Sequence, residues 1–212
     1  MSLRKGLALA IVWADVPPAG RPAFESWAAS QPIGDPGGGV LSAARYVAVS
    51  GAPSFIELHE LADVEAEHER AQRATLAALA EAGASPVRGL YRQIFPPGLD
   101  ERAAVHGPPP ALQIGRIDIP PEHEEEFNEW YNGEYLVGYL KIPGVYGARR
   151  YLNQLPGPRY LTVYELANDQ VSRQPEWDRV RAQSVWRRRI ERFWTHADGS
   201  PGIYRRLQAP AP

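Results

Sequence analysis

The chain has 212 residues, 44% of them hydrophobic, a formal net charge of −2 and no cysteine. That length suits one ordinary domain or two small fused ones, and the apolar share is enough to bury a core. The weak net charge gives no general attraction to nucleic acid or anionic membranes, and the lack of thiols excludes disulfides, thiolate catalysis and cysteine-held zinc or iron–sulfur centres.

The predicted elements run as follows. An apolar run, LALAIVW (7–13), opens the chain and stops at Asp15. It reads as a strand rather than a targeting segment, because a counterpart recurs in mid-chain. No stretch approaches the length needed to span a bilayer, so a soluble cytoplasmic protein is expected. A helix begins after Pro17 and Pro18, since proline is tolerated in a first turn. VLSAARYVAV (40–49) and SFIELHEL (54–61) form a hairpin, a longer helix covers 64–82, and PVRGLYRQIF (86–95) is a closing strand. ERAAVHGPPP (101–110) has the Pro/Gly content of a linker. The series then restarts with a strand at 111–119 and a helix after Pro120 and Pro121. Glu122, Glu124, Glu125 and Glu126 sit at the positive end of that helix dipole. Strands at 145–153 and 159–166, a helix over 175–194 and a strand at 201–208 complete it.

The restart is a duplication. A shift of 103 brings Asp15, Pro17, Pro18, Phe24 and Trp27 onto Asp118, Pro120, Pro121, Phe127 and Trp130. A shift of 105 brings Arg45, Tyr46, Glu60 and Leu61 onto Arg150, Tyr151, Glu165 and Leu166. A shift of 113 brings Gly89, Tyr91 and Arg92 onto Gly202, Tyr204 and Arg205. Each copy has the order β-α-β-β-α-β, the ferredoxin-like unit, whose sheet carries helices on one face only. The bare faces must bury each other. The expected fold class is therefore α+β: two fused ferredoxin-like repeats packed sheet-to-sheet as a pseudo-dimeric α/β barrel. The first repeat covers 1–100, the linker 101–110 and the second repeat 111–212.

The string EEFNEWYNGEYL…IPGVYGARRYL…PRYLTVYEL resembles the dimeric α/β-barrel superfamily, in particular its EthD-like and stress-responsive branches. Those often carry a Trp-Tyr-Asn-x-Glu-His phrase at the end of the first helix. The resemblance implies a pocket between the sheet and the helices of one unit. Monooxygenases, isomerases, cyclases, decarboxylases and haem proteins all share that fold, so it does not define the chemistry. At the family's usual His position this chain has Tyr135.

Differences between the copies point to candidate residues. In SFIELHEL, Glu57 and His59 share the helix-facing side of the strand, whereas the second copy has Thr162 and Tyr164 there. A carboxylate two residues from an imidazole is an acid/base pair in the making. Trp130, Tyr131 and Tyr135 follow helical spacing and serve either as packing or as a substrate wall with phenols for hydrogen bonding. Arg116 replaces Trp13 across the duplication and, with Arg150, is a candidate for holding a carboxylate bidentately. No spacing of His with carboxylates supports a metal site.

The resulting expectation is a cofactor-independent acid/base enzyme of the lyase, decarboxylase, isomerase or cyclase type. It would act on a small, apolar, carboxylated and perhaps aromatic substrate. His59 moves the proton, Glu57 orients it, Tyr135 polarises oxygen, and Trp130, Tyr131, Arg116 and Arg150 bind the substrate. No cofactor, nucleic acid or membrane partner is expected, and the fold is compatible with a homodimer. Two alternatives stand beside this: a haem enzyme of the duplicated-barrel type, with His196 or His59 as axial ligand, and a non-catalytic small-molecule binding module.

Overall fold

The computed structural model describes residues 5–33, 38–97 and 107–207. In the first repeat, β1 (Ala8–Ala14) is followed by α1 (Arg21–Ser30), β2 (Val40–Ser50), β3 (Phe55–Leu61), α2 (Glu69–Glu81) and β4 (Val87–Phe95). In the second, β5 (Ala111–Asp118) is followed by α3 (Glu124–Trp130), which runs on through a π-helical turn (Tyr131–Tyr135) into α4 (Leu136–Tyr139). Then come β6 (Val145–Asn153), β7 (Tyr160–Leu166), α5 (Pro175–Gln183), α6 (Val185–Ile190), a short β8 (Thr195–His196) and β9 (Gly202–Arg206). Most of the expected linker falls at 98–106, outside the described residues.

Within each repeat the strand order is that of a ferredoxin-like unit: β4-β1-β3-β2 and β9-β5-β7-β6. The repeats join edge to edge, β4 to β6 and β2 to β9, so eight of the nine strands close into one antiparallel barrel. Closure leaves those strands no free edge on which another chain could template. Alternation decides what faces where. Leu9, Ile11, Trp13, Ile56, Leu58, Leu112, Ile114, Leu161 and Val163 fill the barrel interior. Phe24, Phe55 and Leu79 pack under the first repeat's helices. Phe127, Trp130, Tyr139, Tyr164 and Trp177 pack under the second's.

One end of the barrel interior is ionic. Lys5 pairs with Glu165, and Arg149 bonds both Glu60 and Glu165, the latter at 3.0 Å. Glu60 and Glu165 are equivalent positions of the duplication, so a single guanidinium ties the two repeats together across their shared barrel. Burial works against the Glu165 charge, but Arg149 and Lys5 outweigh it and hold its carboxyl below the usual range.

Two helices depart from expectation. The helix expected from 64 begins only at Glu69, because Ala66 and Glu67 pack against Gly38 and Gly39, and the Glu67 N–H donates to the Gly38 carbonyl at 2.9 Å. The helix expected over 175–194 breaks at Ser184, whose backbone is extended (φ −71°, ψ 108°) and whose hydroxyl accepts from the Arg187 N–H that opens α6. No helix among the described residues is long and apolar enough to cross a membrane.

Candidate functional site

The two repeats fill the space between sheet and helices differently. In the first, Arg45 reaches up from β2. Its Nε donates to Glu57 Oε2 at 2.7 Å, its Nη1 to the carbonyls of Ala28 and Gln31 at 2.9 and 2.8 Å, and its Nη2 to Thr75 Oγ1 at 3.0 Å. His59 Nε2 donates to Glu57 Oε1 at 2.8 Å. Burial alone would push the Glu57 carboxyl up, but the bonds from His59 and Thr75 and the Arg45 charge hold it low. Glu57 and His59 are in contact as expected, yet both are 0% exposed and neither lines a cavity among the described residues. A cavity of about 340 Å³ beside them, lined by Ala28, Gln31 and Arg45 among others, stops at Arg45 and reaches neither residue.

In the second repeat a cavity of about 220 Å³ remains. Its floor is Gln113, Gly115 and Ile117 of β5 with Tyr164 of β7. Gly115 helps to keep it open, since a Cβ there would meet nothing within 4 Å. Tyr131 and Tyr135 from the π-helical turn and Tyr139 from α4 form one wall, and Trp177 and Arg181 from α5 another. Arg187, Trp194 and His196 stand at the mouth. The rings brace one another: Trp130 lies 4.5 Å from Tyr135 and Tyr139 lies 4.3 Å from Trp177, centroid to centroid. The phenols are linked as well, Tyr139 to Tyr135 at 2.9 Å and Tyr131 to Tyr164 at 3.4 Å.

The electrostatics favour an anion. Among the described residues, two guanidinium groups line the cavity and no carboxylate does. Arg187 is paired to Glu191 at 2.9 Å along its own helix, outside that lining. His196, held in β8 opposite Ile117, has its pKa lowered by partial burial and then by the Arg181 and Arg187 charges, which favours a neutral imidazole. A larger groove of about 530 Å³ lies between α4 and α5 and is separated from the cavity by Tyr135, which lines both.

Of the residues singled out from sequence, Trp130, Tyr131 and Tyr135 come together here. Arg150 lies directly behind Tyr131, its Cζ 4.4 Å from that ring. Arg116 does not join them. It points to the other face of the sheet, stacks over Trp13 at 5.3 Å and spends its Nη2 on the carbonyls of Ala52 and Asp198 at 2.8 and 2.7 Å. Arg181, Arg187 and Trp177 were not anticipated. Their helical stretch reads as an amphipathic surface, and only the folded chain shows which of its arginines turn inward.

No family model matches the chain, and no curated protein matches it. Solved structures do match over nearly its whole length. A putative chlorite dismutase has a TM-score of 0.60 at 12% identity, covering 96% of this chain and 95% of that one. An anthrone oxidase-like protein has a TM-score of 0.56 at 12% identity, with 99% of each chain covered. A haem-binding protein from Thermus thermophilus has a TM-score of 0.58 at 10% identity, covering 96% and 92%. The class is thereby defined by fold: this is a dimeric α/β barrel doubled within one chain.

The expectation of a cofactor-independent acid/base enzyme is corrected by these findings. Structures sharing the fold include a putative chlorite dismutase and a protein described as haem-binding, which match the haem alternative better than the main expectation. The physical reason is visible in the first repeat: Glu57 is committed to Arg45, His59 and Thr75, and among the described residues no cavity is lined by Glu57 or His59.

Proposed function

We propose that the protein is a haem-binding enzyme whose site is the second repeat's helix–sheet cavity. On this reading residues 111–212 carry the ligand, residues 1–100 complete the barrel as a scaffold, and 101–110 link them. One observation carries the proposal: the cavity combines aromatic walls, an imidazole whose protonation is disfavoured and two guanidinium groups, with no carboxylate among the described residues of its lining. Those are the donors a flat dicarboxylate with a central iron calls for. His196 would hold the iron, Arg181 and Arg187 would face carboxylates, and Tyr139 and Trp177 would offer ring faces. His59, the other axial candidate, is sealed by Glu57.

The cavity must enlarge to take such a ligand. A volume of about 220 Å³ is below the ~300–1,000 Å³ of typical ligand pockets. On this reading the Tyr135 ring turns aside and opens it to the neighbouring groove of about 530 Å³, whose lining adds Glu134 and Glu176. Bound haem supplies redox chemistry at its iron. The chain's own part is to orient the ring, exclude water with Trp177 and Trp194, and present the Tyr131 and Tyr164 hydroxyls as hydrogen-bond donors.

Titration of the ligand-free protein with hemin, followed in the Soret region, tests this. A saturable band with one equivalent bound is expected, weakened about 10-fold or more by His196→Ala. A spectrum identical to free hemin, or a band indifferent to His196→Ala, would overturn the assignment.

A further inference from the structure

The duplication places one arginine twice and completes its surroundings once. Arg45 and Arg150 occupy equivalent positions of β2 and β6, opposite Glu57 of β3 and Thr162 of β7 respectively. Glu57 neutralises Arg45. Arg150 has no such carboxylate among the described residues. It is 0% exposed, and its Nη1 donates to Asn132 Oδ1 at 2.6 Å. Its Nε and Nη2 have no acceptor among the described residues. The rings of Phe127, Tyr131 and Tyr160 surround it at 4.9, 4.4 and 5.1 Å, a cation–π cage that offsets part of the cost of burial and leaves the charge uncancelled. Burial accordingly pushes its pKa down.

The position opposite Arg150 adjoins the cavity without lining it. Thr162 is in register with Gly115, which forms part of the cavity floor. Tyr131, the ring nearest the guanidinium, is part of the cavity wall and opens the π-helical turn, a backbone form that recurs at functional sites. One side chain therefore separates Arg150 from the ligand space.

We infer that the counter-ion of Arg150 is a carboxylate of the ligand, entering where Glu57 sits in the first repeat. The ligand class is a flat conjugated ring acid. Its identity as haem rests on the function proposed above, in which case the carboxylate is a propionate. Glu57 versus Thr162 thereby decides which repeat is closed and which is receptive.

The test imports the first repeat's solution. Thr162→Glu supplies the carboxylate internally, Thr162→Gln supplies its bulk without charge, and Arg150→Met removes the receptor. Two probe pairs are used: hemin with its dimethyl ester, read by absorbance, and 2-naphthoate with 2-naphthamide, read by tryptophan fluorescence. Wild type is expected to prefer each acid over its neutral partner by about 10-fold or more. Thr162→Glu and Arg150→Met abolish the preference for 2-naphthoate and reduce that for hemin, whose other carboxylate faces Arg181 and Arg187. Thr162→Gln fills the place without charge, so it weakens binding of the acid without stabilising the ligand-free protein, whereas Thr162→Glu raises that protein's melting temperature. Equal binding of acid and neutral probe by wild type, or a naphthoate preference surviving in Arg150→Met, would overturn the inference. Failure of hemin alone, with the naphthoate preference intact, would remove the haem reading and leave this one standing.

Discussion

Glu57 is the residue on which the first repeat's closure depends. It accepts hydrogen bonds from Arg45, His59 and Thr75 with no exposure to solvent. Glu57→Gln keeps the size and removes the charge, leaving Arg45 buried without a counter-ion. A loss of about 3–5 kcal/mol in urea unfolding at pH 7 is expected. Because its folded pKa lies below the ordinary value of 4.5, the folded state binds fewer protons than the unfolded one near that pH. The Glu57 contribution is thus fully present above about pH 4.5 and is lost as pH falls through the folded value. Glu57→Gln should flatten that acid limb, and an unchanged limb would contradict the assigned network. At this scale the sequence was partly legible. The contact between Glu57 and His59 follows from strand alternation, but its purpose does not, because Arg45 and Thr75 reach the pair from other elements. Tyr131 and Tyr135 could be placed on one wall by helical spacing, whereas Arg181 and Arg187 owe their inward turn to tertiary packing.

Ser184 decides the shape of the wall at the level of elements. Its hydroxyl accepts from Trp130 Nε1 at 2.8 Å and from the Arg187 N–H at 3.1 Å, so it caps α6 and pins α3 to the helix break. The break turns Arg187 toward the cavity mouth. Ser184→Ala removes both bonds and leaves a buried indole N–H unsatisfied, so a cost of about 1–3 kcal/mol is expected, visible as a lower urea midpoint and a shifted tryptophan emission. Ser184→Thr should retain most of the stability, and a silent Ser184→Ala would contradict the capping role. Elements were the most legible scale. Proline pairs marked helix starts, and alternation marked all the main strands within a few residues. The helix break escaped because a serine within an Arg-rich helical pattern is unremarkable until a buried tryptophan is found bonding it. The π-helical turn escaped because glycine and aromatic residues at 131–135 fit an ordinary helix equally well.

For the whole molecule, duplication explains both architecture and asymmetry. Two units with one bare face each close into a barrel whose interior is shared, and Arg149 locks Glu60 of one to Glu165 of the other. That much follows from the repeat. Which half stays open does not, since it turns on whether side chains under the helices satisfy one another. The central claim is that the second repeat, and not the first, houses a haem held by His196. Anomalous scattering at the iron edge from crystals grown with hemin locates the metal directly. The account expects a single strong peak between β5 and the α4–α5 helices, within bonding distance of the His196 imidazole; a peak beneath α1 and α2, one inside the barrel, or none at all would contradict it.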